Sequence, residues 1–177
     1  LVGGRVSDEE GLGSFKVTYG TDNNLKLDDF QPSALTYGLW AGAWDLAGFG
    51  DTAFNADPDG DGIRNGLEYA LGMDPLTPDA PLAPTVSVIN VSGSQYLALT
   101  YVRQAGVNLP TDLLFAVERS TNLSARNGGW SPTGLVEQSV TAGPEAGFET
   151  VVVRSGTPIG TPGVKSEFLR LSVTLTH

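Results

Sequence analysis

The sequence predicts a mainly β protein, in which an antiparallel β-sandwich is joined to a small helix-loop-helix unit and an N-terminal β-hairpin. Six runs of alternating apolar and polar residues follow residue 84, with no helical pattern between them. The 177 residues include 23 glycines and 11 prolines, which supply the tight turns that such runs need. Hydrophobic residues make up 40% of the chain, which is enough for a buried core.

Residues 1–31 are predicted to contain the β-hairpin. Two groups of apolar residues alternate with polar ones there, which is the pattern of half-buried strands. The first group is Phe15, Val17 and Tyr19, and the second is Leu25, Leu27 and Phe30. The polar residues 21–24 between the two groups supply the turn.

Residues 32–80 are predicted to form the helix-loop-helix unit. Between residues 34 and 49, apolar side chains recur at spacings of three and four, which indicates a helix with Ser33 as its cap. These side chains are Leu35, Leu39, Trp40, Ala43, Trp44 and Ala47. A second short helix has Ile63, Leu67 and Leu71 on one face, and Gly72 is well placed to end it.

A proline-rich segment separates this unit from the predicted sandwich. Prolines at positions 75, 78, 81 and 84 make the segment stiff and indicate a boundary near residue 80. From residue 81 to residue 177 the pattern changes to strands. The six predicted strands are Thr85–Val91, Gln95–Arg103, Leu113–Ser120, Leu135–Val140, Phe148–Arg154 and Glu167–Thr176. Such strands without intervening helices predict an antiparallel sandwich with Greek-key-like connections.

The charge and the missing residue types narrow the classes of partner. A net charge of −10 argues against nucleic acid and anionic membrane surfaces, because phosphate binding needs clustered lysines and arginines, and it suits a cation. The chain has no cysteine, so neither a disulfide nor a thiolate metal site can form. No apolar run approaches the roughly 20 residues that span a bilayer. Because the chain starts at Leu1, we expect it to be a processed piece of a longer protein.

One segment, Asp57-Pro58-Asp59-Gly60-Asp61-Gly62-Ile63-Arg64-Asn65-Gly66-Leu67-Glu68, matches the calcium-binding loop of EF-hands. Calcium takes about six to eight oxygen ligands in loose geometry. The predicted ligands are the side chains of Asp57, Asp59, Asp61, Asn65 and Glu68 and the backbone carbonyl of Ile63. Gly62 stands at the sixth position, where the chain must bend sharply. Glu68 belongs to the second helix, and both of its carboxylate oxygens would close the site.

The alternative interpretation of this segment is an acidic surface turn that binds no ion. Three carboxylates packed so closely would repel one another without a cation, which favours the calcium site. Arg64 stands where paired calcium loops carry an aliphatic residue that contacts a sister loop, and the sequence contains no second loop. A calcium sensor opens a Met-rich groove, whereas this chain has one Met. We therefore predict a solitary calcium site with a structural role.

The stretch from Asp57 to Pro75 resembles the thrombospondin type 3-like and dockerin-like calcium loops of bacterial extracellular proteins. More narrowly, it resembles a C-terminal module of large surface or secreted proteins of the Verrucomicrobia and Planctomycetes. In that module the calcium unit is followed by strands similar to residues 99–103, 115–120 and 168–171. Residues 15–20 are similar to the last strands of autotransporter-type β-repeat regions, so residues 1–31 would end an upstream repeat region. The resemblance implies calcium, export and a terminal position in a long chain, and it implies no activity.

The tryptophans and the single histidine are the remaining candidates for ligand binding or catalysis. Trp40 and Trp44 lie four residues apart on the predicted helix, which favours burial in the core over a sugar-stacking platform. Trp130, beside two glycines, stays a candidate platform. His177 is the last residue, and a terminal histidine is a poor general base. We predict no catalytic residue and no enzyme activity.

The patterns and the resemblance together predict a non-catalytic, calcium-stabilised, extracellular structural module, which is a component of the bacterial cell surface or of a fibre or filament. The strands Phe15–Tyr19 and Phe168–Leu175 are candidates to add to the sheet edge of a neighbouring copy, which would give a homo-oligomer or fibre. The alternative from another class is a carbohydrate-binding module of a secreted protein.

Overall fold

The computed structural model describes residues 5–7, 13–19, 25–32, 36–49, 51–78, 82–106, 109–122, 129–164 and 166–176. These residues form nine strands and three short helices, and every pair of neighbouring strands is antiparallel. The prediction of a mainly β, antiparallel protein is therefore confirmed. The predicted cap at Ser33, the helical position Leu35 and the terminal His177 lie outside the described residues.

The N-terminal part is a three-stranded sheet. It consists of β1 (Arg5–Ser7), β2 (Gly13–Tyr19) and β3 (Leu25–Pro32), in the order β1-β2-β3. The predicted hairpin is present as β2 and β3, whose register runs from Tyr19 opposite Leu25 to Gly13 opposite Pro32. The sequence reading missed β1, and the added strand gives β2 a partner on each side. β1 pairs with residues 14–16 of β2, so β2 is a central strand along that part of its length. The addition of Phe15–Tyr19 to a neighbouring sheet stays a prediction.

The three helices are α1 (Tyr37–Ala43), α2 (Leu46–Phe49) and α3 (Asn65–Leu71). The prediction of one continuous helix up to residue 49 is wrong, because Asp45 has a φ of 50° and separates α1 from α2. Aspartate tolerates this left-handed conformation better than most residues. α1 begins after Thr36, whose hydroxyl accepts a hydrogen bond from the amide of Leu39 at 3.4 Å. None of the helices in the described part of the chain is long and apolar enough to cross a membrane.

α3 ends as the sequence predicts. Gly72 follows it with a φ of 73°, a conformation that glycine adopts at little cost. The amide of Met73 then donates to the carbonyl of Glu68 at 2.8 Å, which satisfies a carbonyl of the last turn. Pro75, just beyond, is fully buried.

Six further strands form the sandwich, and all six were predicted to within a few residues. They are β4 (Thr85–Val91), β5 (Ser94–Gln104), β6 (Leu113–Ser120), β7 (Leu135–Ala142), β8 (Phe148–Ser155) and β9 (Phe168–Leu175). One sheet has the order β4-β5-β8-β7, and the other consists of β6 and β9. Because β5 pairs with β8 and not with β6, the chain crosses between the sheets as in a Greek key.

Two apolar clusters form the core, and α3 contributes to both. In the first cluster, Leu99, Val151 and Leu169 bring the two sheets together. Leu71 of α3 packs into this cluster, with Ile63 before the helix and Met73 after it. The second cluster joins Tyr69 of α3 to α1 and α2 through Trp40, Ala41 and Leu46. α3 is therefore held on one side by the sandwich and on the other by the first two helices.

Candidate metal site

The loop that precedes α3 is closed at its base by backbone hydrogen bonds. The amide of Asn65 donates to the carbonyl of Ala56, and the amide of Gly66 donates to the carbonyl of Phe54, both at 2.9 Å. The start of α3 therefore lies beside residues 54–56, and the chain between them forms a closed loop. Residues 57–64 are held as a compact loop whose two ends are fixed.

Three aspartates converge inside this loop. Carboxylate oxygens of Asp57, Asp59 and Asp61 all lie within 4.8 Å of one another. Backbone amides of the loop hold each carboxylate in place. The amides of Gly60 and Gly62 donate to Asp57 at 2.9 and 3.1 Å. The amide of Asp61 donates to Asp59 at 3.1 Å, and the amide of Ile63 donates to Asp61 at 2.7 Å. Gly60 and Gly62 have φ values of 75° and 93°, so the tight turn needs glycine at both positions.

The electrostatics of the loop favour a cation. Burial raises the pKa of the Asp59 carboxyl, and the nearby charges of Asp61 and Asp57 raise it further, while the backbone amide of Asp61 lowers it. Oδ2 of Asp59 is buried and accepts no hydrogen bond from any residue that the structure describes. A bound cation would offset the repulsion among the three carboxylates.

Asn65, the ninth position of the loop, provides an independent observation that points to an ion. Its side chain has no exposed surface, and Nδ2 donates to the carbonyls of Asp51 and Ala53 at 2.8 and 3.1 Å. Oδ1 is also buried, and no described residue donates to it. A buried oxygen without a donor costs about 1–3 kcal/mol, whereas a metal ion is a good partner for an amide oxygen. The sequence pattern gave no sign of Asp51 and Ala53, because they act through their backbone carbonyls.

Glu68 lies on α3, and its side chain is fully buried. It is not part of the group formed by the three aspartates among the described residues. Burial of Tyr37 is the main cause of a raised pKa of its hydroxyl, and the charge of Glu68 raises this pKa further. The structure thus brings together Asp57, Asp59 and Asp61, and the closing role of Glu68 and of the Ile63 carbonyl stays a prediction.

The tryptophans behave largely as their spacing predicts. Trp40 is buried in the second cluster, and Trp44 packs against the same cluster. Trp130 is only partly buried, but the guanidinium of Arg170 lies over its ring, 4.3 Å from the centroid. Arg170 in turn pairs with Glu118 at 2.7 Å. The ring face of Trp130 that this cation covers is not open for a sugar to stack on.

The oxygen ligands of the loop indicate which metal ions it can bind. Carboxylates of three aspartates and the amide oxygen of Asn65 are hard oxygen donors, which suit hard cations such as Ca²⁺, Mg²⁺ or Mn²⁺. Comparison with protein-family models, with curated protein sequences and with solved structures finds no match to this chain. The chemistry of this loop is therefore the basis on which a function can be argued.

Proposed function

We propose that this chain is a non-catalytic, calcium-stabilised structural module of a bacterial extracellular or cell-surface protein. Two observations carry the proposal. Asp57, Asp59 and Asp61 form an acidic cluster in the loop, and Asn65, which follows the loop at the start of α3, has a buried Oδ1 to which no described residue donates. α3 packs into both apolar clusters. An ion at the loop would therefore fix the helix that connects the two parts of the core.

Calcium is the ion that this loop suits best. Ca²⁺ accepts about six to eight oxygen ligands in flexible geometry, whereas Mg²⁺ demands near-octahedral geometry and keeps several waters. The loop matches the EF-hand calcium pattern from Asp57 to Glu68. Calcium-binding modules outside the cell bind the ion with modest affinity, with a Kd of about 10⁻⁴–10⁻³ M. The absence of cysteine fits this role, since bound metal can take the stabilising part of a disulfide.

The mechanism is linkage between ion binding and folding. An ion that binds only the folded chain stabilises it by RT ln(1 + [L]/Kd), which is about 2.7 kcal/mol when the free ion is at 100 times Kd. For a chain of this size, 1 kcal/mol shifts the melting temperature by about 2–4 °C. Saturating calcium is therefore expected to raise it by about 5–10 °C.

Calorimetric unfolding in EDTA, in calcium and in magnesium tests this function. Asp61→Asn is the informative variant, because the amide oxygen still accepts from the amide of Ile63 while the charge is lost. Glu145→Gln is the matched control, since Glu145 is an exposed acid in the β7–β8 turn. We expect calcium to stabilise the original chain and the control but not Asp61→Asn, and magnesium to act weakly. A melting temperature that calcium leaves unchanged in the original chain would show that the loop is an acidic turn and that the proposal is wrong.

A further inference from the structure

Two valines on the core-facing side of the sandwich are uncovered. Val86 and Val88 of β4 pair with Leu99 and Leu97 of β5, and paired residues share one face of a sheet. Leu99 is buried in the first apolar cluster, so this face is the one that points toward the second sheet. Val86 and Val88 are nevertheless 50% and 53% exposed. Apolar residues at core-facing positions stay exposed only when nothing lies across them.

The small size of the second sheet explains this exposure. β9 packs across β5, and β6 lies toward β7. The next strand position beyond β9 would therefore lie across β4, over the two valines. The outer edge of β6 is already bridged, because Arg119 and Ser131 exchange backbone hydrogen bonds of 2.9 and 3.0 Å. β9 pairs with β6 and with no second strand within the described residues.

The strand order of the two sheets indicates which strand of an immunoglobulin-type sandwich would occupy the position beyond β9. An immunoglobulin-constant-type sandwich has the order A-B-E-D in one sheet and C-F-G in the other. The order here, β4-β5-β8-β7 and β6-β9, corresponds to A-B-E-D and C-F. The strand position beyond β9 is therefore that of strand G. A strand added there would complete the hydrogen bonds of β9 and cover the inner face of β4.

The outer strand β3 of the N-terminal sheet has exposed apolar residues whose spacing matches that of Val86 and Val88. β3 is an outer strand that pairs with β2 on one side only in the described part of the chain. Leu25 and Leu27, two residues apart on one face of β3, are 52% and 54% exposed. β3 and β9 are each eight residues long. The exposed leucines of β3 thus have the same two-residue spacing as the exposed valines of β4.

We propose that β3 of one copy adds to the free edge of β9 in a second copy, with Leu25 and Leu27 covering Val86 and Val88. The proposal rests on the structural role proposed above and names its partner as another copy of this chain. The donor strand and the acceptor edge are different surfaces, so the contact is heterologous. Every oligomer keeps one free donor strand at one end and one free acceptor edge at the other, and an open fibre results when the rotation between copies does not close a ring.

Two variants of the full chain test the donor strand and the acceptor edge one at a time. Val88→Lys places a charge in the acceptor groove, and Leu27→Lys places one on the donor strand. Leu114→Lys is the control. Leu114 is 59% exposed on β6. It is an odd number of residues from the core-facing Val117, so its side chain lies on the outer face of the sheet. Sedimentation velocity over a concentration series should show oligomers for the original chain and the control. Each of the two informative variants should stay monomeric, and their equimolar mixture should form a dimer that grows no further.

Hydrogen exchange of the β9 amides gives a second measurement. We expect the amides on the free edge of β9 to exchange at least about tenfold more slowly at high than at low protein concentration. Protection that does not change with concentration would assign this edge to a strand of the same chain and overturn the proposal. A chain that is monomeric at every concentration, or oligomers that persist in Val88→Lys, would also overturn it. The calcium shift in melting temperature, measured in the same samples when dilute, shows separately whether the proposed calcium role holds.

Discussion

The hydroxyl of Tyr69 on α3 donates a 2.6 Å hydrogen bond to Oδ1 of Asp112, which lies 43 residues away just before β6. The other carboxylate oxygen of Asp112 accepts from the backbone amide of Tyr37, at the start of α1, at 2.8 Å. One carboxylate therefore joins two helices to the sandwich. Burial raises the pKa of Tyr69 far above its usual range, and the hydrogen bond and charge of Asp112 raise it further. The tyrosine is neutral and acts as a donor throughout the physiological pH range.

Tyr69→Phe is expected to destabilise the chain by about 1.5–3 kcal/mol, because it removes a partly buried hydrogen bond from a buried tyrosine to a charged group. Tyr37→Phe is the matched control, since its hydroxyl donates to the carbonyl of Thr52 at an exposed position and should contribute about 1 kcal/mol or less. Urea unfolding in calcium and in EDTA measures both. Equal losses in the two variants would contradict the role assigned to Asp112.

Asn65→Ala and Asp61→Asn should respond differently to calcium removal. Asn65→Ala leaves the carbonyls of Asp51 and Ala53 without their donor, so it should lower the melting temperature even in EDTA. Asp61→Asn removes one of three mutually repelling charges, so in EDTA it should leave stability unchanged or raise it slightly. In calcium both variants should be less stable than the original chain. Destabilisation of Asp61→Asn in EDTA as large as in calcium would argue against an ion at the loop.

Gly66→Ala tests the packing of the first turn of α3. A methyl group at Gly66 would overlap the ring of Phe54, and the residue is buried. We expect a loss of about 1–3 kcal/mol from this overpacking. Gly42→Ala, on the exposed face of α1 with open space around it, should instead stabilise the chain by about 0.5–1 kcal/mol through helix propensity. Thermal unfolding measures both, and a neutral Gly66→Ala would show that the Phe54 ring can move aside.

Because of Tyr101, the free energy of unfolding is expected to decrease as the pH rises into the alkaline range. Burial is the main cause of its raised pKa, and the charges of Glu137 and Glu149 add to it, while Arg103 acts in the opposite direction. Since the folded pKa exceeds the unfolded value of about 10, the stabilisation is complete below pH 10 and is lost as pH rises through the folded pKa. The slope is at most about 1.4 kcal/mol per pH unit for this group.

Tyr101→Phe should remove this contribution. Urea unfolding at pH 8, 10 and 11 should show that the original chain loses more stability with rising pH than the variant does. Because Tyr37 and Tyr69 also have raised pKa values, the comparison is between the two pH slopes and not between absolute stabilities. Parallel slopes would contradict the assignment to Tyr101.

Some elements follow from local pattern alone. The six strands of the sandwich alternate in polarity and are bounded by turn residues, so their positions could be predicted. The convergence of Asp57, Asp59 and Asp61 also follows from local spacing, because alternate residues in a glycine-rich turn point to one side. The break at Asp45 could not be predicted, since apolar spacing continues through it and an aspartate in a helical pattern gives no sign of a positive φ. β1 was missed because three residues are too few to show a period.

The strand positions, the end of α3 at Gly72 and the acidic loop could be predicted from the sequence, because each depends on residues close together in the chain. Which apolar faces are covered depends instead on how distant segments pack. Val86 and Val88 have the alternating pattern of a core strand, yet they are half exposed because the facing sheet has two strands in the described part of the chain. The buried oxygen of Asn65 likewise depends on carbonyls that carry no sequence signal. A pattern shows which side of a strand is apolar, but what lies across it is set by contacts between distant segments.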